Sequence, residues 1–224
     1  MCFTREMSLA FTVAGLVASV AAVLPGARPF WWILVVFYTG MEALQYFQHY
    51  TVNKCSDATN RFLTRVAYLY IIVQPFLWHF YLWLIYPDLR LVFSRAMIAS
   101  GLLIILFLAR FNPFVPETPS VPPESSDEAF RGPLCTKKNA DGHLYWLFPM
   151  RRFWGLEPNM LILLSIWWVP MMWTGWFRPA SHMFLYGVAW LLSGANKHET
   201  ASIWCLYSIP AFVIEPIFPM MWSA

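Results

Sequence analysis

Charge is what this sequence has least of. Aspartate, glutamate, lysine and arginine make up 12% of its 224 residues, against about 25% in an ordinary soluble domain. A conventional water-facing surface is therefore not expected. The formal net charge of +3 is small, and no Lys/Arg cluster interleaved with aromatics lies outside the apolar runs, so nucleic acid is excluded as an expected partner. Catalytic signatures are missing as well. There is no His-x-x-x-His or His-Glu-x-x-His, no Cys-x-x-Cys, no Gly-x-Ser-x-Gly, no Walker sequence and no dinucleotide fingerprint. The last apolar run has no lysine for a retinal Schiff base, which argues against a rhodopsin. The five histidines are too scattered for the histidine boxes of membrane desaturases.

What is abundant is apolar. Hydrophobic residues reach 59% and aromatics 19%, with 13 tryptophans, a composition that suits spans flanked by interfacial aromatic belts. Apolar runs recur seven times, at residues 7–24, 29–52, 62–86, 89–111, 159–177, 181–193 and 201–221. Between them lie Pro25-Gly26, Asn53 with Asp57 and Asn60, Pro87-Asp88, Arg178-Pro179 and Gly194 through Glu199. The expected fold is all-α: a polytopic membrane bundle of about seven transmembrane helices forming one domain over residues 1–224. The sixth run is the weakest, and six spans plus one partial span is the rival count. The first run has a short basic n-region and small residues from Ala18 to Ala22, features shared with a cleaved signal peptide. Arg28 arrives only after Pro25-Gly26 and no clean small-x-small site precedes it, which favours a retained helix.

Basic residues sort unevenly between the two sides of such a bundle. The N-terminal side collects Arg5, Lys54, Arg61, Arg65, Arg110, Arg131, Lys137, Lys138, Arg151, Arg152 and Lys197, against Arg28, Arg90, Arg95 and Arg178 opposite. Positive-inside places the N-terminus in the cytoplasm and the C-terminus across the membrane. Cys2, Cys55 and Cys135 would then be cytoplasmic, with Cys205 about a turn inside the last helix at the same side, and no disulfide is expected.

The loop at 112–156 divides in two. Residues 112–127 hold five prolines among Ser, Thr and Glu and read as an extended linker. Residues 134–138 and 143–148 flank Asn139-Ala140-Asp141-Gly142, a β-hairpin signal between helices 4 and 5. Its Tyr145-Trp146 would lie on the bilayer surface or cap the bundle. No internal repeat is evident, which weakens an inverted-repeat transporter.

Polar residues inside the spans carry the functional expectation. Tyr38, Glu42, Gln45 and His49 recur at spacings of three and four and share one helix face. An acid at mid-bilayer costs on the order of 2.5 kcal/mol or more, so this stripe must face protein or a water-filled cavity. It suits a proton or cation relay, or a ligand set for a metal or cofactor. The plainer reading is interhelical hydrogen bonding worth about 0.6 kcal/mol per contact; it is preferred for Gln45 alone, and function is preferred for Glu42. In the third span Tyr70, Gln74, Trp78 and Tyr81 share a face beside Pro75, which removes a backbone donor, while His79 projects away from Gln74. In the last span Glu215 lies with Cys205 and Ser208 on a helix interrupted by Pro210, Pro216 and Pro219. His182, near the end of its run, reads as interfacial.

Met1-Cys2-Phe3-Thr4, the second span around Glu42 and Gln45, and Ile203-Trp204-Cys205 together resemble an uncharacterised family of multi-spanning membrane proteins whose members typically begin Met-Cys-Phe-Ser. Thr4 in place of Ser and the long Pro-rich loop depart from the family pattern. The resemblance implies a compact bundle of about this size and supplies no activity. It directs attention to Cys2, which initiator-methionine removal would leave beside an α-amino group, able to ligate metal or accept a lipid. Cys2, Glu42 and His49 are thus the metal candidates, and no particular cofactor is implied.

The leading expectation is a small transporter or channel for protons, cations or a small polar solute, with Tyr38, Glu42, Gln45, His49, Gln74 and Glu215 along the pathway. The alternatives are a membrane-embedded enzyme or metal/cofactor-binding protein, and a non-catalytic subunit of a larger membrane complex. The expected partners are the lipid bilayer, the solute or ion, and further copies or subunits of such a complex.

Overall fold

A computed structural model describes residues 4–25, 27, 29–110, 134–139, 142–148, 160–193, 200 and 203–204. Each of the first six apolar runs contains a helix. α1 (Arg5–Ala21) starts where the Thr4 hydroxyl accepts a 3.1 Å hydrogen bond from the Met7 amide, an N-cap that satisfies one of the orphan donors of the first turn. Glu6 follows in that turn, and its exposed carboxyl is held below the usual range chiefly by a backbone hydrogen bond at its own residue, with smaller contributions from Thr4 and Arg5. α2 (Trp31–Gln48) begins after Phe30, which adopts a left-handed conformation at φ 61° and turns the chain back. α3 (Ala58–Ile85) is capped by Asp57, whose carboxylate accepts from the Thr59 amide at 2.8 Å, and runs through Pro75 without a break. A short 3₁₀ turn with Pro87 at its start leads into α4 (Arg90–Arg110).

The expected hairpin is present. β1 (Cys135–Lys138) and β2 (Leu144–Leu147) pair antiparallel, with Cys135 opposite Leu147 and Lys138 opposite Leu144. α5 (Met160–Met171) carries Pro170 near its end and tightens into a 3₁₀ turn over Met172–Thr174. α6 (Phe177–Leu192) follows.

Sequential packing orders the bundle. α1 lies along α2, α2 along α3 and α3 along α4, while α5 rests on both α3 and α4 and α6 packs on α5. The α1–α2 approach depends on Gly15, where any Cβ would run into the Thr39 side chain. The interior is dominated by Leu34, Tyr38, Met41, Trp78, Tyr81, Leu82 and Met171, all with 1% exposure or less except Trp78 at 2%. The exterior is equally apolar: Val13, Val17 and Val20 on α1, Leu91, Ile98, Leu102 and Ile105 on α4, and Phe184 and Leu191 on α6 are all exposed.

Two expectations need correction. Seven transmembrane helices were expected, yet among the described residues only α3 and the Pro87–Ala109 segment are long and apolar enough to cross a membrane. The other runs fall short for identifiable reasons. Among the described residues α1, α5 and α6 have 17, 12 and 16 residues, and the 18 residues of α2 include Glu42, Gln45 and Gln48. The seventh run lies outside the described residues apart from Ile203 and Trp204. The second correction concerns the cysteines: Cys55, in the turn after α2, is joined to Cys135 of β1 by a disulfide spanning 80 residues. The spacing of the two cysteines carried no sign of this, because their pairing depends on where the hairpin docks.

That docking is highly specific. The Asn60 side chain accepts from the Thr136 amide at 2.9 Å and donates to the Thr136 carbonyl at 3.0 Å, reproducing a strand neighbour. The Thr136 hydroxyl meets Gln48 Nε2 at 3.1 Å and Thr64 Oγ1 at 2.8 Å. Asn53, left-handed at φ 65°, donates its amide to the Thr136 carbonyl and accepts from the Lys138 amide. Gln48, Asn60, Thr64 and Thr136 are all completely buried. The hairpin therefore caps the α2–α3 end of the bundle, with Trp146 inside at 1% exposure.

Candidate functional site

The stripe on α2 is where the interior turns polar. Tyr38 is 1% exposed, and Glu42 and Gln45 are fully buried, while His49 at the helix C-cap is half-buried. Tyr38 is fixed by the α3 indole of Trp78, whose Nε1 donates to its hydroxyl at 3.1 Å. Glu42 follows one turn along the same face, and Gln45 and His49 one and two turns beyond it.

Two glutamines on this helix have opposite environments. Gln48 donates to the Leu63 carbonyl at 3.2 Å and to Thr136, and its Oε1 accepts from Trp146 Nε1 at 3.2 Å. Gln45, three residues earlier and equally buried, has neither its Nε2 nor its Oε1 hydrogen-bonded among the described residues. Leaving such groups unsatisfied costs about 1–3 kcal/mol each.

Two further groups at that level are in the same condition. Ser8 of α1 is fully buried and its hydroxyl has no hydrogen-bond partner among the described residues; nor has the buried Nε2 of His49. The antiparallel register of α1 on α2 is set by Gly15 against Thr39 and by the Arg5 guanidinium 5.3 Å from the Tyr50 ring centroid. Counting from either contact places Ser8 level with the Gln45–His49 turn. The seam between α1 and α2 thus carries a hydroxyl level with the amide and imidazole of the α2 stripe, whose Tyr38 turns toward Trp78 of α3.

Gln74 reaches the neighbouring seam. It is 4% exposed, and the residues one turn on either side of it meet α2: Tyr70 packs on Phe37 at 4.8 Å between ring centroids and crowds Gly40, and Trp78 bonds Tyr38. Glu215 and Cys2 lie outside the described residues. Among the described residues no three of His, Cys, Asp and Glu gather as a metal-ligand set.

Other polar residues are held between helices away from this stripe. His79 is fully buried, with Nε2 3.1 Å from the Trp167 carbonyl and Nδ1 3.1 Å from Ser100 Oγ, so it ties α3 to α4 and α5. A carbonyl only accepts, which puts the ring proton on Nε2. His182, read from sequence as interfacial, is buried at 5% exposure among Trp78, Trp167 and Trp204, with ring centroids 4.6–5.7 Å away. Its place near the end of an apolar run concealed that α6 packs inward there. Ser8 and Gln48 were also missed. The signal for Gln48 was its three-residue spacing from Gln45; a lone serine in an apolar helix offers none.

A family of unknown function (DUF5765) matches residues 6–221. The chain belongs to that family. The match runs through all six described helices, the hairpin and every site residue named above except Cys2, so DUF5765 membership covers the α1–α2 seam and the disulfide alike. No curated protein and no solved structure matches the chain.

Proposed function

We propose that this member of DUF5765 is a multi-spanning membrane protein whose α1–α2 seam binds and passes a small polar solute, a proton or a cation. The apolar exterior of α1, α4 and α6 supports the membrane reading, because contiguous exposed apolar surface of this kind suits lipid rather than water. α3 and the Pro87–Ala109 segment are the two described helices long and apolar enough to cross a bilayer.

One observation carries the assignment of the site. Gln45 keeps a donor and an acceptor buried with no partner among the described residues, one turn from the buried Glu42 and level with Ser8. An occupant that both accepts and donates hydrogen bonds, or a cation attracted to the carboxylate, would complete the set. Tyr38 and Gln74 extend the same line toward the other end of α2.

Reconstitution tests this. In proteoliposomes loaded with a pH-sensitive dye, or swollen in glycerol or urea gradients, the wild-type chain should raise proton, sodium, potassium or solute flux above that of protein-free vesicles. Glu42→Gln, which keeps the shape and removes the charge, should abolish that flux while the helical circular dichroism stays intact. Wild-type flux in the folded variant would refute the pathway. Stoichiometric metal or chromophore in the purified protein would replace it with the cofactor-binding reading, and recovery solely within a large assembly would replace it with the subunit reading.

A further inference from the structure

The N-terminus of α1, the turn after α2 and the hairpin all meet at one end of the bundle. Arg5 stacks over Tyr50, Asn53 bonds Thr136 and Lys138, and Cys55 is bonded to Cys135. At the opposite end Arg90 lies 5.0 Å from the Trp83 ring centroid, beside the 3₁₀ turn. The two ends are thus chemically distinct, and one of them carries the disulfide.

The charge bias and the disulfide give opposite orientations for that end. Arg5, Lys54, Arg61, Arg65, Lys137 and Lys138 all belong to it, which by positive-inside makes it cytoplasmic. A disulfide does not persist there, because glutathione and thioredoxin keep cytosolic thiols reduced. The charge rule describes a tendency during insertion, whereas the covalent state must survive in the compartment where the protein resides. The bond is also integrated into the fold: Cys135 is fully buried, and the residue after it, Thr136, has its amide, carbonyl and hydroxyl all engaged by α2, α3 and the turn between them. Cys135 packs with Leu147, Cys55 and Tyr145 in a small core of its own.

We infer that Cys55 and Cys135 are the substrate of an oxidised dithiol protein, and that the bundle end bearing the hairpin faces an oxidising compartment, the reverse of the orientation set by the basic residues. One thiolate attacks the carrier's disulfide to form a mixed disulfide, and the second displaces the carrier's sulfur. The carrier leaves as a dithiol, having taken the two electrons and the two protons that the cysteines lose. This orientation rests on the membrane reading above.

The test uses the full chain made on sealed microsomes, whose exposed face is cytosolic, as Cys2→Ser/Cys205→Ser so that only the pair remains. With an impermeant phosphine reductant and a polyethylene-glycol maleimide, the sealed vesicles should show no addition, and detergent-opened vesicles should show two. Detergent without reductant should give none. Addition in the sealed vesicles overturns the orientation, and addition without reductant, or none after detergent and reductant together, overturns the disulfide. If the double variant fails to accumulate, the wild-type chain carries the same measurement, with intact mass showing the gain of two hydrogens on reduction. An alkaline carbonate wash separates this from the membrane reading: a chain washed off the vesicles defeats that reading whatever the state of its thiols.

Discussion

Gln45 and Gln48 sit one turn apart with the same chemistry and the same burial, yet Gln48 is engaged at both amide ends and Gln45 at neither. Replacing Gln45 by methionine keeps the length of the side chain and removes both unpaired atoms. Thermal or denaturant unfolding of Gln45→Met should therefore show stabilisation of about 1–3 kcal/mol, while flux through the seam falls. A variant that is less stable would mean the amide is satisfied and that the seam is packing. Such a trade of stability against activity is what a retained polar site produces. The stripe of Glu42, Gln45 and His49 was legible in the sequence because helical spacing alone puts those residues on one face. Ser8 was not, since its level against α2 depends on how α1 crosses that helix, and Glu215 belongs to the part of the chain outside the described residues.

Helices and hairpin were legible because hydrophobic run length and Asn-Ala-Asp-Gly turn chemistry are local properties. What the runs could not convey was helix extent. α5 carries Pro170 one residue before its end, where the chain tightens into 3₁₀ geometry. Nor did they convey which glycines matter. Gly15 meets Thr39 at the α1–α2 crossing, whereas Gly101 of α4 has open space where a Cβ would stand. Gly15→Ala should force the two helices apart and cost about 1–3 kcal/mol. Gly101→Ala should be neutral or stabilise by up to about 1 kcal/mol. Unfolding of the two variants side by side checks the crossing, and equal effects would contradict it.

The molecule as a whole turns an apolar surface outward, and Ile98 stands at 65% exposure midway along the Pro87–Ala109 segment. A lysine there should raise the cost of insertion by about 2.5–3.5 kcal/mol, seen as loss of Ile98→Lys from the carbonate-resistant membrane fraction. If the helix instead faced water, the same change would improve solubility. The architecture at this scale was the least legible, because the disulfide and the capping network join residues far apart in the chain. That separation also sets a timetable for assembly. Asn60 leaves the ribosome 76 residues ahead of Thr136, an interval of roughly 4–15 s at elongation rates of about 5–20 residues per second. Throughout it, the side-chain oxygens of Asn60 and Gln48 lack the Thr136 amide and the Trp146 indole from which they accept. They need water, so the α2–α3 turn stays hydrated and Cys55 stays a thiol until the second half of the chain arrives to close over it.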